Sequence, residues 1–373
     1  MKNHRLMKVL FSGLALMALL LGGAAWWGYG HLTGLVQRQL QSFAGDDLTI
    51  GRVTARWNRV ELDQVRLARH GSGPFDQRLA IDRLVLHPRL ISLFSKRLEL
   101  GEITIDKPYL LLEIAPDGSL VKPLHDRPAP SRAKDGPSLP LTISALRITN
   151  GTVDTLDWHA ARRGGIGLSN PREHYHLLQL NGIDLDLGGI DIPPADRPTR
   201  IRLNVKSRGG GSLALNGALS PQSLNGTLKL DIKELNIVPY RPYFLKKGDM
   251  DVKAGQLSIH SDISIEKRQL NAPGEMLIKG LAFDQSGMKG FWMGLPARTL
   301  MKTMEDNQGD LKVDFTVKGS LDDPRFKVRQ SFVEQVATGL ASKLGVVSPS
   351  SIGKGLIDAG SSGMKEIRKV FGK

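Results

Sequence analysis

Apolar and polar residues alternate along most of the chain from residue 48 onward. The first run places Leu48, Ile50, Val53 and Ala55 at this spacing. A strand shows a period of two when one face is buried and the other meets water, as in antiparallel sheets. About fourteen strands between Gly- and Pro-containing turns are therefore predicted. They cover residues 48–57, 60–67, 79–86, 98–106, 109–114, 141–149, 151–158, 175–187, 199–207, 211–220, 224–232, 248–265 and 309–320.

The alternation is most regular between residues 211 and 320, where strands and glycine turns form a degenerate β-meander repeat. We predict a mainly β fold, a long curved antiparallel groove with a few short helices. The apolar residues of each strand share one face, which makes them candidates to line the groove. They are Leu203, Val205, Leu213, Leu215, Leu228, Leu230, Val252, Leu257, Ile259, Val313 and Phe315.

A different pattern opens the chain, since residues 9–28 (VLFSGLALMALLLGGAAWWG) form a run of twenty without a charge. At ~1.5 Å per residue, a helix of this length spans the ~30 Å hydrocarbon core of a bilayer. Trp26, Trp27 and Tyr29 follow at its end, where aromatic rings mark a membrane interface. The sequence predicts a transmembrane anchor.

The charges around this run predict its orientation. Lys2, Arg5 and Lys8 precede it, and the next charge is Arg38. Positive residues stay in the cytoplasm, so the N-terminus is expected there and the rest of the chain is expected to be translocated across the membrane. Two alternatives are a cleaved signal peptide, with residues 23–25 as an acceptable cleavage site, and a buried core helix.

Helical periodicity appears in a few other places. The predicted helices are an amphipathic stalk at 31–44, a short helix at 88–96, a kinked one at 291–304, and tail helices at 332–344 and 351–371. The last helix has an apolar stripe and many lysines, so it could lie on an anionic membrane or pack against the sheet.

These elements divide the chain into five parts. The anchor covers 1–30, a β region with a short helix 31–120, a proline-rich linker 121–140, the groove region 141–328, and a helical amphipathic tail 329–373. The linker has few aliphatic residues, which is typical of a connecting segment rather than of a core.

Composition narrows the possible functions. The chain of 373 residues contains no cysteine, which excludes a lipoprotein anchor, a thiol nucleophile and thiolate metal sites. Its net charge of +14 suits polyanions. No nucleic-acid-binding motif accompanies that charge. We therefore expect no nucleic acid as a partner, and weigh a solvated basic surface against contact with anionic lipid headgroups.

Signatures of catalysis and of cofactors are not found. The sequence has no G-x-S-x-G, no phosphate-binding loop, no dinucleotide fingerprint and no H-E-x-x-H. No pair of carboxylates has the context of a glycosidase. We predict a protein that is not an enzyme and has no cofactor or metal.

Two clusters weakly resemble metal sites. His174 and His176 would share a face of a strand, and His159 with Asp157 could add ligands. Ordinary exposed histidines are the favoured interpretation. The second cluster, Asp184, Asp186 and Asp191, lacks the dense loop of a calcium site. Its first two members are expected on the solvated face of a strand that turns Ile183, Leu185 and Leu187 inward.

The apolar face of so many strands must be covered by something. The sheet could close as a sandwich or barrel, or remain a trough lined with Leu, Ile and Val that holds a ligand. Lipid acyl chains fit such a surface, because each buried methylene contributes ~0.8 kcal/mol. Phospholipid or another lipid is therefore the expected partner.

Three segments resemble the AsmA-like family of envelope proteins, and their order frames most of the chain. They are LVLHPRLISLFSKRLELGEITIDKPYLLLEIAPDG at 84–118, LPLTISALRITNGTVDTLD at 139–157, and GDLKVDFTVKGSLDDPRFKV at 309–328. The architecture is also similar to that of chorein-type bridge-like lipid transfer proteins.

The resemblance implies a periplasmic β-groove, an inner-membrane anchor and a part in phospholipid transport or outer-membrane lipid homeostasis. It implies no catalytic residue. At ~4.8 Å per strand, the trough would be only ~65–70 Å long, shorter than in the large relatives. The alternative is a scaffold or assembly factor for envelope proteins that pairs a client strand with an exposed sheet edge.

Overall fold

A computed structural model describes residues 47–56, 58–69, 74–89, 98–121, 140–162, 175–244, 251–284, 291–292, 295–296, 310–323, 326 and 328–343. Within these ranges the fold is mainly β, as the alternation predicts. The strands are β1 Leu48–Arg56, β2 Arg59–Ala68, β3 Gln77–Pro88, β4 Leu98–Asp106, β5 Tyr109–Ile114, β6 Leu120–Val121, β7 Leu141–Asp157, β8 His176–Ile192, β9 Thr199–Ser207, β10 Ser212–Leu219, β11 Gly226–Asn236, β12 Val252–Glu266, β13 Gln269–Phe283, β14 Phe291–Trp292, β15 Leu295–Pro296 and β16 Leu311–Ser320.

Helices are few in this part of the chain. Two single turns, α1 His159–Arg162 and α2 Arg241–Phe244, lie at strand ends, and a 3-10 turn at Val238–Tyr240 precedes α2. The longer helix α3, Val328–Lys343, follows the last strand. The tail helix predicted at 332–344 is therefore confirmed over the residues that the structure describes, and it begins four residues earlier.

One 14-stranded sheet contains nearly all of the strands, in the order β1-β2-β3-β4-β7-β8-β9-β10-β11-β12-β13-β16, with β5 and β6 at its side. Neighbours are antiparallel except that β4 and β5 both run parallel to β7. They lie end to end along it: Asp106 pairs with Thr149, and Tyr109 with Thr152. The long strand β7 thus joins the first four strands to the meander that follows.

Two hydrophobic cores lie toward opposite ends of the sheet. The first joins β1 to β4 with the start of β7, and Leu86 and Ile143 are fully buried in it. The second joins β12, β13 and β16 with α3, and it buries Val252, Val313 and Val336 completely. A third, small cluster of Leu111, Leu156 and Tyr175 lies where β5, β7 and β8 meet.

Helix α3 covers the last strands through close contacts. The rings of Phe332 and Phe315 meet edge to face at 5.0 Å, a favourable geometry for aromatic pairs. A Cβ placed on Gly339 would lie 2.6 Å from Val313 Cγ1, so only glycine lets the helix approach this closely. The apolar side of β13 and β16 is therefore filled by the protein itself.

Several predicted elements need correction. Strand β13 is absent from the prediction, because the Pro273-Gly274 pair inside it is typical of a turn. The segments 141–149 and 151–158 are one continuous strand, β7. The helix expected at 291–304 is wrong at its start, where β14 and β15 pair as a short hairpin.

Other predicted elements fall on residues that are not described. Pro88 ends β3 rather than opening a helix, and residues 90–97 lie outside the described ranges. The anchor at 1–30, the stalk, most of the linker and the last tail helix lie outside them as well. Among the described helices, none is both long and apolar enough to cross a membrane.

Candidate functional site

The strand register aligns apolar residues into rows that cross the sheet from one end to the other. One row contains a single partner from each strand along the path β1 to β16. In order it is Val53, Leu62, Leu84, Ile105, Ile148, Leu185, Leu203, Leu215, Leu230, Ser261, Gly274 and Phe315. Partners across a strand pair point to the same side. The whole sheet therefore has one apolar face.

Neighbouring rows repeat this arrangement. A second row contains Ala55, Val60, Leu86, Ile103, Leu146, Leu187, Ile201, Gly217, Leu228 and Ile263. A third contains Val205, Leu213, Ile232, Ile259, Met276 and Val313. A single slip in register would send each of these residues to the other side, so the alternation fixes the pairing.

Burial changes along each row. In the first row, Leu62 at one end is 1% exposed and Phe315 at the other is 7% exposed. The residues between them on β8 to β11 are all partly exposed, and none belongs to a core cluster of the described residues. We call this part the central apolar face; it consists of Leu185, Leu187, Ile201, Leu203, Val205, Leu213, Leu215, Leu228 and Leu230.

The eleven lining candidates from the sequence fall into two groups. Six of them lie in the central apolar face: Leu203, Val205, Leu213, Leu215, Leu228 and Leu230. The others belong to the second core. Val252, Ile259, Val313 and Phe315 are buried there, and Leu257 packs against it. Helix α3 joins the second core through Val336, whereas no residue of the first group belongs to a core cluster of the described residues.

Three residues of the central apolar face, Leu185, Leu187 and Ile201, are missing from the candidates. The signal for the first two was present in the sequence, in the alternation around Asp184 and Asp186. The interface residues Trp26, Trp27 and Tyr29 lie outside the described part of the chain.

The opposite face of the same strands is polar and held by cross-strand ion pairs. Arg147 reaches Glu102 at 3.0 Å and Asp186 at 3.7 Å. His260 Nδ1 lies 2.8 Å from Asp231, and this hydrogen bond raises the pKa of the imidazole above its usual value. A polar face of this kind can remain in contact with water. The apolar face is therefore the side that is expected to be shielded from water.

A buried polar cluster lies at one end of β5, β7 and β8. Arg69, whose side chain is 1% exposed, binds both carboxylate oxygens of Glu113 at 2.9 and 3.2 Å. Trp158 Nε1 donates to the same carboxylate at 3.1 Å. Burial raises the pKa of Glu113, but Arg69 and Trp158 outweigh it and hold that pKa below its usual value. These bonds tie the strand ends together.

The described histidines of the first cluster that weakly resembles a metal site make hydrogen bonds within the protein. His176 is 1% exposed and donates from Nε2 to the Pro239 carbonyl at 2.6 Å. Burial lowers the pKa of His176, so its neutral form is favoured. His159 Nδ1 lies 3.0 Å from the Pro116 carbonyl, and Asp157 accepts from the Ala160 N–H. His174 lies outside the described ranges.

The three aspartates of the second suggestion are also engaged by the protein. Asp184 accepts the Asn150 N–H at 2.9 Å, Asp186 pairs with Arg147, and Asp191 binds Arg197. Among the residues that the structure describes, no group of three or more His, Asp and Glu side chains could hold a metal ion.

No protein-family model, curated protein or solved structure matches the chain. The resemblance to the AsmA-like family therefore rests on the three sequence segments and their order.

Proposed function

We propose that the central apolar face binds lipid acyl chains, and that the protein takes part in phospholipid transport or outer-membrane lipid homeostasis. The observation that supports this most is the change of burial along the rows. Leu203 and Leu215 are partly exposed, whereas Leu62 and Phe315 of the same row are buried. In this proposal the sheet curves around the exposed part and forms a groove.

The chemistry of the face favours acyl chains over small polar ligands. Its nine side chains are Leu, Ile and Val, and none can donate or accept a hydrogen bond. A polar ligand needs a few convergent polar groups for orientation, whereas a hydrocarbon chain needs only apolar area. The transfer of each methylene from water contributes ~0.8 kcal/mol, which is close to what a bilayer offers, so a lipid could exchange at little net cost.

The membrane context completes the proposal. The apolar run at residues 9–28 would anchor the protein in the inner membrane, with the sheet in the periplasm. A sheet that begins next to a bilayer could receive a lipid from it without exposing the acyl chains to water.

Site-specific photocrosslinking in native membranes tests the proposal. A photoreactive amino acid at Leu215 should crosslink to phospholipid, detected by mass spectrometry of the full-length chain. The same group at Asn216 is the matched control, because this exposed neighbour lies on the polar face. Equal lipid yields at the two positions, or none at Leu215, would contradict the proposal.

A second candidate function is supported by the sheet edges. In the described part of the chain, β1 pairs only with β2, and β16 only with β13. Such edges can accept a strand from another protein, as an assembly factor would require. Crosslinkers at exposed positions of β1, such as Thr49 and Arg52, should then capture one defined envelope protein. Capture of lipid alone would argue against this function.

A further inference from the structure

The polar face carries a cavity of about 470 Å³, which lies at the start of β7 and β9 and near the end of β8. This volume lies within the ~300–1,000 Å³ range of small-molecule sites. Three arginines, Arg89, Arg197 and Arg200, line it together with the hydroxyls of Thr142 and Ser144. We call it the arginine pocket. It faces away from the central apolar face.

Two consecutive glycines of β8 set the positions of two guanidinium groups. A Cβ on Gly188 would lie 3.2 Å from both Nε and Nη2 of Arg200. Gly189 has a φ of +76°, and a Cβ there would lie 3.6 Å from Cζ of Arg197. Both arginines therefore lie against the bare backbone of β8. A Cβ at position 188 would require the Arg200 guanidinium to shift by a few tenths of an ångström.

The charges of the pocket are only partly compensated. Arg197 binds Asp191 through two hydrogen bonds of 3.0 Å, and Thr142 donates to the same carboxylate at 2.9 Å. Arg89 lies 3.4 Å from Glu99. Arg200 has no acidic partner among the described residues, so its positive charge is not compensated by a carboxylate there.

We infer that the arginine pocket binds a phosphate-type oxyanion. Guanidinium groups match the geometry of phosphate oxygens through paired N–H donors. Here the Arg200 guanidinium faces the cavity without a carboxylate partner, Arg197 is fixed by its own carboxylate, and the Ser144 hydroxyl can provide a further donor. Free phosphate and the phosphate of a lipid headgroup share this chemistry.

Phosphate titration of the full-length protein in zwitterionic detergent tests the inference by calorimetry. The wild type should show saturable binding that Arg200→Gln weakens at least tenfold. Arg202→Gln is the matched control, because Arg202 is exposed on the same face and strand but does not line the pocket. Equal weakening in both variants would show general charge attraction and overturn the inference. Absence of saturable phosphate binding would overturn it too.

A second variant separates geometry from charge. Gly188→Ala removes no charge, yet its methyl group would displace the Arg200 guanidinium, so phosphate binding should weaken severalfold at an unchanged unfolding midpoint. Unchanged affinity in this variant would contradict the proposal that Gly188 allows the Arg200 guanidinium to reach its position in the pocket.

The source of the oxyanion follows from a comparison of two probes. Inorganic phosphate and monomeric short-chain phosphatidylglycerol are titrated separately, and the probe that binds more tightly identifies the source. Both must depend on Arg200 for the inference to hold. The result is independent of the proposed acyl-chain binding, because lipid crosslinking at Leu215 reports on the opposite face.

Discussion

Leu203 on β9 and Leu215 on β10 are paired across the sheet, and both stay partly exposed while the two ends of their row are buried. Half-exposed side chains contribute less to folding than buried ones, since they remove less apolar area from water. These two leucines are therefore expected to contribute less to the free energy of unfolding than the core residues on the same face.

Substitution at Leu215 should affect lipid binding more than stability. Leu215→Thr removes apolar area at a partly exposed position and is expected to cost no more than about 1 kcal/mol. Ile143→Ala in the first core should cost about 2–5 kcal/mol, because it leaves a cavity. Urea denaturation measures the free energy of unfolding of both variants. Similar decreases in the two variants would show that Leu215 is a core residue.

Loss of the Glu113 carboxylate should destabilise the protein strongly. Glu113→Gln removes the carboxylate that binds the buried Arg69 guanidinium at two oxygens, and the loss of one partner costs about 3 kcal/mol in comparable buried pairs. Glu99→Gln is the control, since its partner Arg89 is largely exposed and such pairs contribute about 0–1 kcal/mol. The midpoint of thermal unfolding should therefore fall more in Glu113→Gln than in Glu99→Gln, and equal decreases would contradict the prediction.

The same carboxylate gives an acid dependence. Because the pKa of Glu113 is lowered in the folded state, its contribution is present above the ordinary glutamate pKa. It is lost as pH falls through the lowered value. The stability difference between wild type and Glu113→Gln should therefore shrink in acid; a constant difference would contradict the pairing.

His260 should titrate above the usual histidine range. Its hydrogen bond with Asp231 raises the pKa, so its contribution to stability is full below the ordinary histidine pKa. It is lost as pH rises through the raised value. NMR titration of the imidazole should show the elevated pKa in wild type and its return toward the usual value in Asp231→Asn. Equal titration curves in the two proteins would rule out this cause.

Helix α3 should detach when its closest contact is blocked. Gly339→Leu would force side-chain atoms into Val313, and overpacking of this kind costs about 1–3 kcal/mol. Gln335→Leu adds similar bulk at an exposed position of the same helix and should leave the contact intact. Hydrogen exchange in β16 should rise only in the first variant. Equal exchange in both would show that α3 does not protect this strand.

Local sequence patterns predicted most of the strands well. They did not predict which part of the apolar face another element of the protein covers. Strand β9 has the predicted bounds, because its alternation and flanking turns are unambiguous. Strand β13 was hidden by Pro273, which has no N–H; the register between β12 and β13 passes from Ser261↔Gly274 to Ser264↔Asn271 and leaves out Ala272 and Pro273. The sheet accommodates the proline at a position that sequence alone does not reveal.

The candidate site was predicted in part for a related reason. Alternation shows which side of a strand is apolar, and it found Leu203, Leu215 and Leu230 correctly as members of one face. It does not show which part of that face another element covers. The burial of Val313 depends on the contact of Gly339 with it, which is a long-range relation.

In the described part of the chain, each strand from β8 to β12 pairs only with the strands before and after it along the chain. Neighbour-only pairing makes this segment modular, in the manner of repeat proteins. An extra hairpin inserted at the turn between β9 and β10 would add two strands, or ~9.6 Å of width, at ~4.8 Å each. The two hydrophobic cores toward the ends of the sheet would keep their contacts, so insertions and deletions of hairpins offer a simple evolutionary route to longer or shorter versions of this protein.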